Sequence, residues 1–200
     1  VHGMTLGELA RMIDGEGWLR DGLRCKLTVI PCRGYTHRSR YRLPTAPSPN
    51  LPNMRAVYLY PSLCFFEGTP VSLGRGTDFP FQAYGHPELQ GDFSFTPRSN
   101  AGAKNPPLKD KLCHGVDLRT SPSDERIWER EVDLGYVIDC YRQLNLGEKF
   151  FTPMFDRLTG TDYVRQMILQ GAGADRIKAS WADDVERFKQ TRKPYLLYEE

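Results

Sequence analysis

The stretch that most limits the fold of this chain is residues 33–53, RGYTHRSRYRLPTAPSPNLPN, which holds four prolines. Proline lacks a backbone N–H donor and has a fixed φ angle, so this density excludes a regular helix and a central strand. A loop of this length is uncommon inside a compact domain and is often functional. We therefore expect either a functional loop or a rigid surface arm here.

Regular structure is predicted before this loop. The stretch TLGELARMIDGEG, residues 5–17, is typical of a helix, because Thr5 and Glu8 have the spacing of a capping box and Gly15 is placed to end it. The apolar, β-branched run KLTVIPC, residues 26–32, predicts a short buried strand. The chain should therefore begin with a helix followed by a strand.

A second helix is predicted directly after the loop, over residues 53–68, NMRAVYLYPSLCFFEG. Asn53 is a suitable N-cap, Pro61 should kink the helix or start a new turn, and Gly68 should end it in a left-handed conformation. Short strands are then expected in the segments PVSLGRGT, GDFSFTPRS and HGVDLR.

The last third of the chain is predicted to be mostly helical. Ser121 and Pro122 form an N-cap and first-turn pair, and YLLY, residues 195–198, is a candidate closing strand. A stripe at helical spacing is expected to lie in the core: Ile177, Trp181, Val185 and Phe188. Together these elements predict a single α+β domain, with a mixed β-sheet, several helices packed on it and a long Pro-rich loop.

Composition excludes several classes of function. The net charge is +2, and the 27 basic residues are interspersed with 25 acidic ones, so we expect no nucleic-acid partner. No apolar run is long enough for a membrane span, and the opening VHGMTLGELARM lacks the apolar segment of a secretory signal. The five cysteines show no C-x-x-C pair and are expected to be buried free thiols. The four histidines lack metal-ligand spacing and GRG is too short for a dinucleotide fingerprint, so we expect no metal and no cofactor.

The strongest candidate site is CFFEGTPVSLGRGTDFPF, residues 64–81, which holds Glu67 and Arg75 in Gly-rich, aromatic-flanked backbone. Glu67 is a candidate general acid or base, and Arg75 can bind a carboxylate through two parallel hydrogen bonds. Aromatic faces nearby, from Phe79, Phe81 and Tyr60, suit sugar rings or apolar ligands. The alternative is that Glu67 and Arg75 pair with each other across a turn and only fix the loop.

Several motifs occur here in the order and spacing of one bacterial family: PSPNLPN, YLYPSLCFFEGT and SLGRGTDFPF, together with the opening GMTLGELARMIDGEGWL and LTVIPCRGYTH. The sequence resembles the NamZ-type exo-β-N-acetylmuramidases over essentially its whole length. The motifs are specific as a set, although each alone would be weak. One departure is that no tryptophan precedes PSPN, so aromatic stacking at that rim is not expected from the usual residue.

The resemblance implies an enzyme that releases N-acetylmuramic acid from the non-reducing end of peptidoglycan-derived glycans. It implies an N-terminal Rossmann-like domain and a C-terminal domain with the active-site cleft between them. Residues 1–200 look like the C-terminal domain alone, which implies that this chain by itself is inactive and that its partner is its own N-terminal domain. Wall fragments as substrate imply a periplasmic or secreted protein that acts in cell-wall recycling.

The resemblance also implies roles for single residues. Glu67 becomes the candidate catalytic or sugar-hydroxyl-binding acid, and Arg75 the candidate partner of the lactyl carboxylate of N-acetylmuramic acid. The further residues expected to bind substrate are Thr77, Asn50, Tyr60, Tyr35, His37 and Arg38, of which Asn50 has a turn-forming role as its alternative. Two other functions stay open: a non-catalytic carbohydrate- or wall-binding module, and a protein-interaction domain that uses the arginine-rich segment 33–42.

Overall fold

The computed structural model describes residues 2–200, which divide into two compact units. The terminal unit consists of the residues up to Tyr41 together with Ala179–Glu200, and the central unit is Arg42–Lys178. Within residues 2–200, no helix is long and apolar enough to cross a membrane. The α+β class predicted from the sequence is confirmed.

The regular elements are mostly short helices. In chain order the α-helices are α1 (Leu6–Gly15), α2 (Met54–Leu63), α3 (Asp124–Arg130), α4 (Gly135–Leu144), α5 (Pro153–Thr159), α6 (Tyr163–Leu169), α7 (Ala174–Ser180) and α8 (Ala182–Arg192). The strands are β1 (Ala83–His86), β2 (Phe93–Phe95) and β3 (Cys113–Asp117). Single turns of 3₁₀ helix lie at Arg20–Gly22, Cys64–Gly68, Gly147–Phe150 and Lys193–Tyr195.

Helix α1 forms as predicted, with both halves of the capping box present at Thr5 and Glu8. The strand expected over residues 26–32 is wrong, because this run has no secondary structure and Ile30 is 87% exposed. A β-branched run becomes a strand only beside a partner that completes its hydrogen bonds, and no described residue pairs with this one. The Pro-rich loop of residues 33–53 is irregular apart from one bridge between Ser48 and Leu51.

The closing strand expected over residues 195–198 is also wrong. A 3₁₀ turn at Lys193–Tyr195 leads into irregular backbone. The Leu197 N–H donates to the Glu8 side chain at 2.7 Å instead of to a neighbouring strand. The Glu8 carboxylate therefore accepts from the Leu197 N–H, which in a strand would donate to a neighbouring strand.

The sheet lies in the central unit and has the order β1-β3-β2. Both pairs are antiparallel, so the mixed sheet predicted from the sequence is wrong. A parallel pair needs a long crossover, usually a helix, and the segments that join these strands contain none. Strands β2 and β3 were predicted, whereas β1 was not. The segment PVSLGRGT contributes only a bridge from Ser72 to Gly85, because the chain turns at its glycines.

The helices of the last third are present, with two corrections. Helix α3 begins at Asp124 with Ser123 as its N-cap, two residues later than the expected cap at Ser121. The predicted core stripe is buried at Ile177, but Val185 is 42% exposed. Trp181 and Phe188 are only partly buried, and no residue of α8 is buried, because this helix packs only partly against its own unit.

The core of the central unit is rich in phenylalanine. Its largest fully buried side chains include Phe66, Phe81, Phe150 and Phe155, with Leu59 and Leu63 from α2. All five cysteines are free, as expected. Two of them, Cys113 and Cys140, are buried, whereas Cys25 and Cys32 are exposed because they lie in irregular segments of the terminal unit.

Candidate functional site

Glu67 lies in the 3₁₀ turn Cys64–Gly68 that continues α2. Its neighbours Phe65 and Phe66 are buried, and the Phe66 ring stacks on Tyr84 of β1 with 5.0 Å between ring centroids. These two phenylalanines fix the turn to the core, while the Glu67 side chain stays 29% exposed. The Glu67 carboxylate thus lies at the surface, on a turn that buried side chains fix in place.

Gly68 fixes this turn from its other side. Its φ angle is not left-handed, so the expected left-handed stop is wrong. A Cβ at Gly68 would lie 2.4 Å from the backbone nitrogen of Phe155 in α5, and the Thr152 N–H donates to the Gly68 carbonyl at 2.9 Å. The glycine is needed for close approach of α5, which presses the Glu67 turn against the core.

Arg75 lies on a turn that two left-handed glycines shape, Gly74 with φ 71° and Gly76 with φ 82°. The turn is closed by the Phe81 N–H, which donates to the Leu73 carbonyl at 2.8 Å. Only glycine adopts such φ angles readily, so the GRG motif turns the chain back toward the Cys64–Gly68 turn.

The turn brings Arg75 to Glu67. The Arg75 Nη2 donates to Glu67 Oε1 at 2.5 Å, and each side chain is 29% exposed. The guanidinium also lies 5.0 Å from the centroid of the Phe81 ring, and Phe81 contacts Tyr60 with 5.1 Å between ring centroids. We call these four residues the Glu67 cluster. Among the described residues, no second acceptor binds the Arg75 guanidinium, so its other N–H groups can meet a ligand.

The Glu67 cluster affects the groups around it. Burial raises the pKa of the Tyr60 hydroxyl, and the negative charge of Glu67 raises it further. Burial, with a smaller contribution from Glu67, raises the pKa of the Cys64 thiol to about 11. Because the thiolate is the reactive form, Cys64 is not a nucleophile at neutral pH. The chemistry available here is that of a carboxylate, a guanidinium and a phenol.

Two of the predicted binding residues, Thr77 and Asn50, make hydrogen bonds that stabilise the central unit itself. The Thr77 hydroxyl donates to the Gly74 carbonyl at 2.6 Å and accepts from the Phe79 N–H at 3.2 Å. The Asn50 side-chain amide donates to the Gly102 carbonyl at 2.9 Å. Thr77 stabilises the turn that carries Arg75, and Asn50 fastens the end of the Pro-rich loop.

Three other predicted residues, Tyr35, His37 and Arg38, belong to the terminal unit. The Tyr35 ring contacts Tyr198 at 4.8 Å, and His37 Nε2 lies 3.0 Å from Glu8 Oε1. Arg38 is exposed. The structure describes these residues only within their own unit, so their place in a shared cleft stays a prediction.

Glu8 is a residue whose wider role the sequence did not reveal. Its side chain is fully buried and accepts hydrogen bonds from the backbone N–H groups of Thr5 and Leu197, while it also pairs with His37. Burial alone would raise the pKa of the Glu8 carboxyl, but these hydrogen bonds prevail and lower it to about 2. The capping-box spacing was the one available signal, and it pointed only to a helix start.

A groove of about 510 Å³ lies on the central unit, next to the turn that carries Arg75. It is lined by Gly76–Phe79, by Phe93–Thr96 with Arg98–Asn100, and by Arg119. Sequence analysis predicted two of these residues, Thr77 as a binding residue and Phe79 as an aromatic face for a ligand. Across residues 2–200, no group of three or more His, Cys, Asp and Glu side chains could hold a metal ion.

Comparison with protein families gives two adjacent matches. Residues 58–198 match the model described as exo-β-N-acetylmuramidase NamZ, C-terminal, and residues 1–55 match the corresponding N-terminal model. Among curated proteins, the chain is 31% identical over 221 residues to the peptidoglycan β-N-acetylmuramidase NamZ of Bacillus subtilis. That alignment covers 98% of this chain and 50% of the relative, so the chain spans about half the length of the curated relative.

Two solved structures from Bacteroides fragilis, both described as DUF1343 family proteins, resemble this one. The first is 63% identical with a TM-score of 0.97, and the match covers 100% of this chain and 57% of that protein. The second is 20% identical with a TM-score of 0.70, and the match covers 98% of this chain and 56% of that protein. The second likeness shows the fold alone.

Proposed function

Since the chain belongs to the NamZ exo-β-N-acetylmuramidase family, we propose that it supplies one wall of the cleft in which such an enzyme releases N-acetylmuramic acid. The substrate would be the non-reducing end of peptidoglycan-derived glycans. The other wall would come from an N-terminal Rossmann-like domain, because this chain spans only half of its curated relative. The first 55 residues match the N-terminal family model, so this chain would carry the end of that model together with the C-terminal domain.

The observation that carries this proposal is the Glu67–Arg75 pair, partly exposed on an aromatic base of Phe81 and Tyr60. Glycoside hydrolysis generally uses two carboxyl groups on either side of the scissile bond. Glu67 is rigidly held by buried neighbours and accepts one hydrogen bond from Arg75, so its second oxygen can meet a sugar hydroxyl or act in proton transfer. The second carboxyl group would come from the N-terminal domain.

Arg75 would select the sugar. N-acetylmuramic acid differs from N-acetylglucosamine by a lactyl ether that ends in a carboxylate. A guanidinium binds a carboxylate through two parallel hydrogen bonds, and Arg75 uses one nitrogen for Glu67 and keeps others free. The same arginine can therefore hold Glu67 in place and bind the lactyl group.

Two consequences belong to this proposal. The 200-residue chain would bind N-acetylmuramic acid without turning glycosides over, because half of the catalytic machinery would lie in the other domain. Wall fragments as substrate would place the protein in the periplasm or outside the cell, with a role in peptidoglycan recycling.

The test is turnover by this chain joined to the N-terminal domain of a family member. The substrate is the disaccharide of N-acetylmuramic acid β-1,4-linked to N-acetylglucosamine. We expect Glu67→Gln to lower kcat by about a hundredfold or more, since loss of a catalytic carboxyl group removes proton transfer.

The matched control is Asp156→Asn. Asp156 pairs with Arg165 elsewhere in the central unit, with 29% and 28% of the two side chains exposed, as in the Glu67 pair. Asp156→Asn should leave kcat within about twofold, as expected when an exposed ion pair outside the Glu67 cluster is removed. Equal turnover by Glu67→Gln and the native protein would overturn the role of Glu67.

A further inference from the structure

The groove beside the turn of Arg75 has mixed chemistry. The rings of Phe79 and Phe93 are partly buried and lie edge to face, with 5.6 Å between their centroids. Polar side chains from Ser94 and Asn100 line it as well. Apolar surface together with a few directed polar groups is the usual composition of a small-molecule site.

Arg119 is held rigidly at this groove. Its Nε and Nη2 make three hydrogen bonds of 2.7–3.0 Å to the Asp117 carboxylate at the end of β3. Its guanidinium also lies over two rings, 4.8 Å from the centroid of Phe79 and 5.2 Å from that of Phe93. The side chain nevertheless remains 45% exposed.

This arrangement leaves directed donors for a ligand. Within the part of the chain that the structure describes, the Arg119 Nη1 has no acceptor. The Asn100 side chain uses one N–H toward the Thr77 carbonyl at 3.4 Å and its oxygen toward the Ala103 N–H, so a second N–H remains. Donors fixed before binding lose little conformational entropy when a ligand arrives.

The chemistry fits a sugar that carries an acetamido group. Ring C–H groups of a pyranose pack on aromatic surface, while its hydroxyls and amide carbonyl accept hydrogen bonds from fixed N–H donors. The groove is lined by two basic side chains, Arg98 and Arg119, and by the acidic side chain of Asp78. Asp117 forms an ion pair with Arg119, so positive and negative charges nearly balance. A neutral sugar suits it better than a polyanion.

We propose that this groove binds the second sugar of the substrate, the N-acetylhexosamine that follows the residue to be released, with Arg119 and Asn100 as its polar contacts. This inference rests on the proposed function, because it takes the Glu67 cluster as the site of the released sugar. Gly76 and Thr77 directly follow Arg75 and line the groove, so the two sites share one turn of the chain. The groove thereby accounts for the choice of leaving group.

The experiment titrates the 200-residue chain with N-acetylmuramic acid, N-acetylglucosamine and their β-1,4-linked disaccharide by calorimetry. We expect the disaccharide to bind about tenfold more tightly than N-acetylmuramic acid, the gain expected from one or two hydrogen bonds to a charged donor. Arg119→Leu should abolish this gain and leave the affinity for N-acetylmuramic acid unchanged. The control is Arg165→Leu. Arg165 contacts Asp156 through two nitrogens, as Arg119 contacts Asp117, and its loss should change neither affinity.

A second variant guards against misfolding of Arg119→Leu. Ser94 is exposed and its hydroxyl lies 2.9 Å from His114 Nδ1, so Ser94→Tyr fills the groove at the loss of one exposed hydrogen bond, and it should abolish the gain as well. If both variants keep the gain, or if the disaccharide binds no better than N-acetylmuramic acid, the groove is not the second sugar site. If the disaccharide binds through Arg119 while Glu67→Gln and Arg75→Ala change no affinity, the groove stands and the role proposed for the Glu67 cluster fails.

Discussion

Glu67 and Arg75 are eight residues apart in sequence and meet because the chain reverses at Gly74 and Gly76. Both side chains are partly exposed, so water screens their attraction and the pair contributes little to folding. The pair is held in place by the buried Phe65 and Phe66 and by the turn at Gly74 and Gly76. A pair that is fixed in this way but contributes little to stability is suited to ligand binding. The pairing predicted as the alternative for these residues is therefore present, and it is compatible with the binding role.

The first prediction at the residue scale concerns stability. Glu67→Gln and Arg75→Ala should each lower the free energy of unfolding by less than about 1 kcal/mol, as exposed ion pairs do. Arg55→Ala should cost about 2–4 kcal/mol, because Arg55 is 13% exposed and donates to the Leu118 and Pro122 carbonyls and to Asp124. Urea unfolding of the three variants measures this. A double-mutant coupling above about 2 kcal/mol between Glu67 and Arg75 would mean that the pair is mainly structural.

The second prediction concerns pH. The pKa of Glu8 is about 2 in the folded chain against an ordinary value of 4.5, because hydrogen bonds from Leu197, Thr5 and His37 outweigh burial. The lowered pKa stabilises the folded state above about pH 4.5, and this stabilisation is lost as the pH falls toward 2. The loss should be about 3 kcal/mol, since one pKa unit corresponds to about 1.4 kcal/mol.

Thermal unfolding followed from pH 7 to pH 2 checks this expectation. Glu8→Gln should be less stable than the native chain at pH 7 and should lose less stability between pH 4.5 and pH 2. Glu16→Gln is the control, because Glu16 is exposed and, among residues 2–200, its carboxylate accepts from the Tyr195 hydroxyl alone. Equal pH profiles for Glu8→Gln and the native chain would show that Glu8 does not carry this effect.

At the scale of elements, the sequence predicted what local interactions decide. Helix α1 and helix α2 begin at their predicted caps, Thr5 and Asn53, because a cap needs only residues three positions apart. Residues 26–32 have the composition of a strand but no partner, and β1, AYGH, lacks the composition but has β3 beside it. Pairing between distant segments decides strands, and single-sequence patterns do not contain it.

The candidate site likewise has one part that a short sequence motif predicts and one part that depends on contacts between distant segments. The Glu67–Arg75 pair was predictable because its residues and the glycines that turn the chain lie in one short motif. The groove was not, since its lining combines residues from 76–79, 93–100 and Arg119, which only the sheet brings together. The partners of the buried Glu8 carboxylate were not predictable for the same reason, since Leu197 is 189 residues away.

The element-scale prediction concerns the contact between the Cys64–Gly68 turn and α5. Gly68→Ala would place a Cβ 2.4 Å from the Phe155 nitrogen, so α5 must move. We expect a loss of about 2 kcal/mol or more in the free energy of unfolding, as in other overpacked sites. Gly173→Ala is the control, because nothing lies within 4 Å of its added Cβ, and it should change stability by less than about 1 kcal/mol. Equal stabilities of the two variants would contradict this packing role.

At the scale of the whole molecule, the chain carries parts of two family models, which meet between residues 55 and 58. It spans about half of its curated relative and 57% of a solved structure that it matches at 63% identity. We therefore expect recognition of the sugar to be separable from turnover. On the proposed function, the 200-residue chain should bind the sugar, whereas hydrolysis should need the N-terminal domain that the proposal invokes.

The most direct test is the ratio of affinities of this chain for N-acetylmuramic acid and N-acetylglucosamine, measured for the native chain, Arg75→Ala and the control Arg165→Ala. We expect the native chain and Arg165→Ala to prefer N-acetylmuramic acid by about tenfold or more, the contribution of a charged hydrogen-bonded pair. Arg75→Ala should bind both sugars with nearly equal affinity. A native chain without this preference, or an Arg75→Ala variant that retains it, would contradict the role of Arg75 in recognising the lactyl carboxylate.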